Sequence, residues 1–357
     1  MVSESGRRSK IDLTVSSIDE LHSALARAGD GSTIKLLAGV YPAATISGVE
    51  KDGNVTITSA DPAHHAVVQG LTVRGSSGLT ISQIDLPATA PGAQYGMLLV
   101  NSHNINLDQL VFTSPAVPVD IKVISALELR NVKNVVVSRS QFRNFWHGIG
   151  ILNVENTKIV ANEFRDMRTD GIRGGGVNNI LIAQNICTDF YPIVPDHPDC
   201  IQLWSTNQLE PGRNIRIVDN LAWRRNGIRT QGIFIRDTFN KLPFENVEIS
   251  GNLLIGTMYH GIAISGVRGA SITNNEVIAY PDQKAWILVA NGSDVLEKDN
   301  RAQAFTFKNS PDVKQSNNRL TSPTDKHISK RIAAWLAMRP DMQKNAGPLL
   351  RELSSGD

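Results

Sequence analysis

Short runs of alternating apolar and polar residues recur along most of the chain, and the clearest of them end in asparagine. NTKIVANEF from Asn156, NILIAQNIC from Asn179, NIRIVDNLA from Asn214 and NVEISGNLL from Asn246 share one register. Their seventh position holds Asn162, Asn185, Asn220 and Asn252, and the series continues through Asn275, Asn300 and Asn318. Weaker copies stand upstream in NVVVSRSQF, NINLDQLVF, GLTISQIDL and NVTITSA. Alternation over about five positions predicts strands with Ile, Val and Leu on one face. Successive starts lie 23 residues apart from Asn156 to Asn179 and again from Asn246 to Gly269. That is too short for a helical hairpin repeat and suits one coil of a parallel β-solenoid of about ten coils. The recurrent Asn is expected to stack in a turn as a structural ladder.

Each coil carries a second strand: HGIGI from His147, DGIRG from Asp170, DCIQL from Asp199, QGIFI from Gln231, HGIAI from His260 and AWILV from Ala285. Stacked coils repeat every ~4.8 Å, so this register predicts one column of His147, Asp170, Asp199, Gln231 and His260. Arg173, Gln202 and Phe234 then share the outer face, with Trp204 and Arg236 two positions further along. A polar strip across five coils is a plausible groove floor.

Ser17 or Asp19 is expected to cap a short amphipathic helix with Leu21, Leu25 and Ala28 on one face, closing the open end of the solenoid. Near the C-terminus, Ile328, Ile332 and Trp335 or Leu336 mark a second helical face, read as the opposite cap or a packed tail. The expected organisation is a flexible segment 1–10, an all-β parallel β-helix over 11–321 with its N-terminal capping helix, and a helical tail over 322–357.

A formal charge of +2 in 357 residues and 6% aromatic content argue against a general nucleic-acid binder. No apolar run approaches a membrane span, and Met1 to Lys10 lacks the apolar segment of a signal peptide. Cys187 and Cys200 are expected as two buried thiols.

The capping-helix segment running into GSTIKLLAGVYP, together with the repeated N-x-x-I-x-x-N and x-G-I-x-I strands, resembles the right-handed parallel β-helix proteins of the pectate-lyase-like superfamily. Over nearly the whole chain the resemblance implies this fold. It also implies a complex or acidic polysaccharide as partner, a secreted or periplasmic location and a monomer. Members include pectate and alginate lyases, chondroitinase, polygalacturonases, mannuronan C5-epimerases and phage tailspikes, so the resemblance names no single reaction. The polygalacturonase signature set is absent. DHPD, Asp196 to Asp199, is similar in content to the Asp-Pro-His-Asp motif of the C5-epimerases, with its middle pair inverted.

The coil starting at Asn179 runs 35 residues and the next 32, because insertions occupy Thr188 to Pro198 and Thr206 to Arg213. Such loops build walls beside a groove floor. His197 stands among Asp170, Asp196 and Asp199, which suits general-base chemistry, and Arg173 or Arg229 would neutralise a uronate carboxylate. Tyr259 or His260 would donate to a leaving oxygen. His147, Gln202, Trp204, Gln231, Arg236, Tyr191 and Arg225 are expected to contact substrate, Trp204 by stacking on a sugar ring. No cofactor is firmly indicated; Asp170, Asp196 and Asp199 offer the hard oxygen ligands that leave Ca²⁺ open. The leading expectation is a lyase that eliminates across a uronic acid. A hydrolase built on the three carboxylates, a C5-epimerase and a noncatalytic carbohydrate-binding or adhesion module are the alternatives.

Overall fold

A computed structural model describes residues 9–89, 92–115 and 125–345. Most of the expected flexible segment 1–10 and the end of the expected helical tail, 346–357, lie outside these residues. The chain winds into a right-handed parallel β-helix. Its second sheet has 12 strands among the described residues, Val40–Tyr41 through Arg319–Leu320. There is one strand per coil, and the N-terminal coils that lack the Asn marker carry the count beyond ten. The larger sheet has 19 strands, all its paired neighbours parallel. In several coils its two predicted strands fuse into one bent strand, as in His147–Val160 and Tyr259–Thr273.

The alternation does what its period requires. Ile105, Val135, Thr157, Ile180, Ile215, Val247, Ala270 and Val295 lie one above another inside the solenoid, all buried. Phe112, Phe142 and Phe164 form an interior stack with ring centres 4.7 and 4.8 Å apart, close to the coil spacing.

The Asn register forms a buried ladder. Asn220 Nδ2 donates to Asn252 Oδ1 at 2.9 Å and to the Ile182 carbonyl at 3.0 Å, while Asn220 Oδ1 accepts from the Asn185 backbone and side-chain amides, each at 3.0 Å. The same pattern joins Asn162 to Asn185 and runs on to Asn318, with Ser140 continuing it upstream. Each amide therefore satisfies turn groups of its neighbours that would otherwise be buried without partners.

At the N-terminal end, helix α1 (Ile18–Arg27) is capped by Ser17, whose Oγ accepts from the Glu20 amide at 3.2 Å, and buries Leu21, Ala24 and Leu25 in the main core. Helix α2 (Ile328–Ala337) packs on the flank of the solenoid. Ile328, Ile332, Trp335 and Leu336 meet Leu221, Leu253, Ile255 and Ile278, and Trp335 Nε1 donates to the Gly251 carbonyl at 2.9 Å. It is a packed tail, continued by the short helix α3 (Pro340–Asn345). No helix among the described residues is long and apolar enough to cross a membrane.

One expectation is corrected. Cys187 and Cys200 are joined by a disulfide, with Cα atoms 5.7 Å apart. Cys187 takes the position after Phe164 in the aromatic stack. Cys200 occupies the position held by glycine in its neighbours, Gly171 and Gly232. The two residues thus face each other across the interior, and the bond closes the loop that carries His197.

Candidate functional site

Strand pairing aligns His147, Asp170, Asp199, Gln231 and His260 on five successive coils. Glu128, Gly150, Arg173, Gln202, Phe234 and Ala263 form the adjacent outward column, and Leu152, Gly175, Trp204, Arg236 and Ser265 the next.

From Asp170 to His260 the first column, with Arg173, Gln202 and His197 beside it, is a continuous polar chain. Arg173 Nη1 lies 2.9 Å from Asp170 Oδ2, and the Asp199 amide donates to Asp170 Oδ1 at 2.8 Å. Gln202 Nε2 donates to Asp199 Oδ2 at 2.7 Å, and His197 Nδ1 stands 3.4 Å from the same oxygen. Gln231 Nε2 donates to His197 Nε2 at 2.6 Å, and His260 Nδ1 donates to Gln231 Oε1 at 2.7 Å. Both ring nitrogens of His197 therefore face polar partners, whereas His260 keeps Nε2 free of any partner among the described residues.

Burial separates these groups by what they can reach. Asp170 and Asp199 are 1% and 0% exposed, while the His197 side chain is 54% exposed and His260 half-buried. Burial raises both carboxyls above the usual range, because removing water penalises their charged forms. The Asp199 contact holds His197 above its ordinary value, whereas burial, aided by the charges of His197 and Lys308, holds His260 below it.

The backbone also aims this end of the site. Tyr259, an exposed aromatic residue, adopts φ 46°, and the pairing of its strand with Ala285–Lys298 shifts between His260 and Ile262. A left-handed aromatic residue costs about 1 to 2 kcal/mol, and bulges of this kind re-aim side chains. Tyr259, Trp286, His260 and Phe234 form one aromatic cluster, with ring centres 5.3 to 6.0 Å apart.

On the other side, the Arg173 guanidinium lies 4.9 Å from the ring centres of both Trp146 and Trp204. It borders a cavity of about 410 Å³ whose lining includes Glu128, His147, Gly150, Gly175, Trp204 and Gln208. A β-carbon on Gly150 would collide with the Glu128 carboxylate, and one on Gly175 with the Trp204 carbonyl, so the floor is open because both are glycine. His147 is buried with Nε2 3.1 Å from Glu128 Oε1, and burial lowers its tendency to protonate. Burial works to raise Glu128, but His147, Arg130 and Ser125 outweigh it and hold the carboxyl below its usual range.

Several predicted residues are placed elsewhere. Asp196 is turned away from the column: Arg168 Nε donates to it at 2.8 Å and the Ile193 amide at 3.0 Å. Arg229 lies 3.5 Å from Asp282, and Arg225 3.4 Å from the buried Asp189, so both brace walls. Tyr191 is half-buried in its loop and Arg236 exposed beside Trp204. Asp170, Asp196 and Asp199 do not fit calcium. Asp196 is committed to Arg168, and no cluster of three or more His, Cys, Asp or Glu among the described residues could hold a metal ion.

Sequence reasoning missed Trp146, Glu128 and Trp286. Trp146 directly precedes a column residue, and Glu128 becomes visible once SALEL from Ser125 is aligned with HGIGI, as the pairing of Ser125 with His147 shows. Trp286 was hidden because the bulge breaks the register.

No curated protein matches the chain. Among solved structures it is similar to the surface adhesin PfbA of Streptococcus pneumoniae, at 13% identity over 85% of this chain and 95% of that one, with a TM-score of 0.53. It is also similar to the A-module of an Azotobacter vinelandii mannuronan C-5 epimerase, at 12% identity over 86% and 94%, with a TM-score of 0.51. The Dettilon tailspike protein aligns at 13% identity over 81% of this chain and 64% of its own, with a TM-score of 0.52. At such identities the likeness is one of fold. Residues 69–279, more than half of the chain, match the family model described as the right-handed beta helix region, and the protein belongs to that family.

Proposed function

We propose that the chain is a polysaccharide lyase that cleaves a uronic-acid-containing polymer by β-elimination in the groove over the His147 to His260 column. The observation that carries this reading is the division by burial. The column carboxylates are 0% and 1% exposed, beyond reach of a glycosidic oxygen, which disfavours a carboxylate-based hydrolase. The groups facing the groove are imidazoles, a guanidinium and a phenol, the set that proton abstraction next to a carboxylate requires.

In this reading Arg173, held between two indoles and tied to Asp170, binds the carboxylate of another uronate of the same polymer, three coils along the groove from His260. His260 Nε2 takes the C5 proton. The electron pair of that C–H bond forms the C4–C5 double bond as the C4–O bond breaks, and Tyr259 gives its hydroxyl proton to the leaving oxygen. Solvent then returns a proton to Tyr259 and removes one from His260. Trp204 and the glycine-floored cavity hold a neighbouring sugar. The similarity to an epimerase module supports a groove suited to uronate polymers, and an extracellular or cell-surface setting accords with this substrate.

The test is incubation with a panel of uronic polysaccharides, following the ultraviolet absorbance of the unsaturated uronate. Absorbance that disappears in His260→Ala supports the lyase. New reducing ends without absorbance would instead assign hydrolysis, and exchange of the C5 proton without cleavage would assign epimerisation. Binding without product would assign an adhesion module, a reading favoured by the likeness to PfbA.

A further inference from the structure

We propose that Gln231 is a positioning residue that couples protonation of His197 to the tautomer of His260. One proton on His197 then decides whether His260 offers the groove a lone pair or an N–H. The inference deepens the reading above and rests on His260 as the group that meets substrate.

A primary amide has one donating end and one accepting end, and in Gln231 each end meets an imidazole, at 2.6 Å from His197 and 2.7 Å from His260. At such distances a facing pair must be one donor and one acceptor. With His197 neutral, its Nε2 lone pair accepts from the amide N–H, and its Nδ1–H points to Asp199. Gln231 Oε1 then accepts from His260 Nδ1–H, which leaves the His260 lone pair on the free Nε2. That is the base form.

A proton added to His197 Nε2 faces the amide N–H across the same 2.6 Å, and the bond becomes a clash of donors. Half a turn of the amide restores both bonds on one condition, that His260 Nδ1 becomes the acceptor. The proton of His260 then resides on Nε2, exchanged through solvent at the groove, and His260 remains neutral throughout. The net uptake is one proton, on His197.

The amide itself is held in place. Gln231 is 2% exposed and fixed by strand pairing with Asp199. Phe234 packs 6.0 Å from the His197 ring and 5.6 Å from His260, whose other side meets Trp286 at 6.0 Å. The charged groups bearing on His197 are Asp199 and Asp170, which favour its cation. Those bearing on His260 are His197 and Lys308, which oppose a second cation there. Charge therefore settles on His197, and His260 responds by tautomer.

The test uses the full chain with ¹⁵N-labelled histidine and long-range ¹H–¹⁵N correlations between about pH 5 and 8, where imidazoles titrate. His197 and His260 are assigned by the signals lost in His197→Asn and His260→Phe. The expected result is His260 protonated at Nδ1 at the alkaline end, passing to Nε2–H with the same midpoint as the His197 titration. In Gln231→Met, which keeps the side chain's length without either hydrogen bond, the two transitions should separate. A single His260 tautomer throughout the His197 titration overturns the coupling, as does an unchanged shared midpoint in Gln231→Met. Should that variant not fold, the wild-type titration decides alone. Because the readout is spectroscopic, a coupled pair in a chain that cleaves no polymer upholds this inference while rejecting the lyase.

Discussion

Replacing Asn220 by Ala removes one rung of the buried ladder, and its cost can be worked from the bonds lost. The amide donates to the Ile182 and Val218 carbonyls and to Asn252 Oδ1, and it accepts from the Asn185 backbone and side-chain amides. Some partners keep a second bond. Asn185 Nδ2 still donates to the Ile159 carbonyl, and Asn252 Oδ1 still accepts from the Asn220 backbone. The Asn185 backbone N–H loses its acceptor, at about 1 to 3 kcal/mol for a buried donor left unpaired, and the other lost bonds contribute about 1 kcal/mol each at most. The expected loss is about 3 kcal/mol, read as the shift of the urea midpoint followed by circular dichroism. Asn246 is the control. It belongs to an exposed ladder through Asn214 and adopts φ 55°, so Asn246→Gly keeps the backbone conformation and should change stability by less than about 1 kcal/mol. Equal midpoints for Asn220→Ala and Asn246→Gly would refute the reasoning.

Arg173→Ala should weaken binding of an acidic polymer about 10- to 100-fold through loss of a charge-assisted contact of about 1.5 to 3 kcal/mol; unchanged affinity in a titration would reject the uronate role. Preventing the disulfide with Cys187→Ser and Cys200→Ser should cost about 3 kcal/mol from closure of a short loop and lower turnover, since the loop carries His197; thermal denaturation and initial rates check the two effects separately. Glu297 is wholly buried, and burial pushes its carboxyl up to about 8 from 4.5. The folded state then holds more protons than the unfolded one between these values, so stability falls as pH rises through that window. Glu297→Gln should remove this fall and stabilise the protein above pH 8 by a few kcal/mol, and urea midpoints that keep the wild-type pH slope would count against it.

What the sequence determined by itself is the solenoid and the membership of its columns. Coils stacked in parallel register turn a repeated offset along the chain into a fixed neighbour in space, so His147, Asp170, Asp199, Gln231 and His260 were legible as one line, and Asn162 to Asn318 as another. Only the tertiary structure decided which members of the line meet solvent. Asp170 and Asp199 are covered, whereas His197 and His260 reach the groove, and the proposed reading gives the proton-abstracting role to His260 because both ring nitrogens of His197 face polar partners. Where the repeat is interrupted, its logic lapses. Asp196 pairs with Arg168 from the preceding coil, Arg229 with Asp282 from a later one, and helix α2 lies along the flank. Those partners are chosen by contacts between coils whose loops follow no common register. The disulfide lies between the two cases: both cysteines fall on repeat positions, but that their side chains converge depends on the depth of the interior, which no alternation of residues encodes.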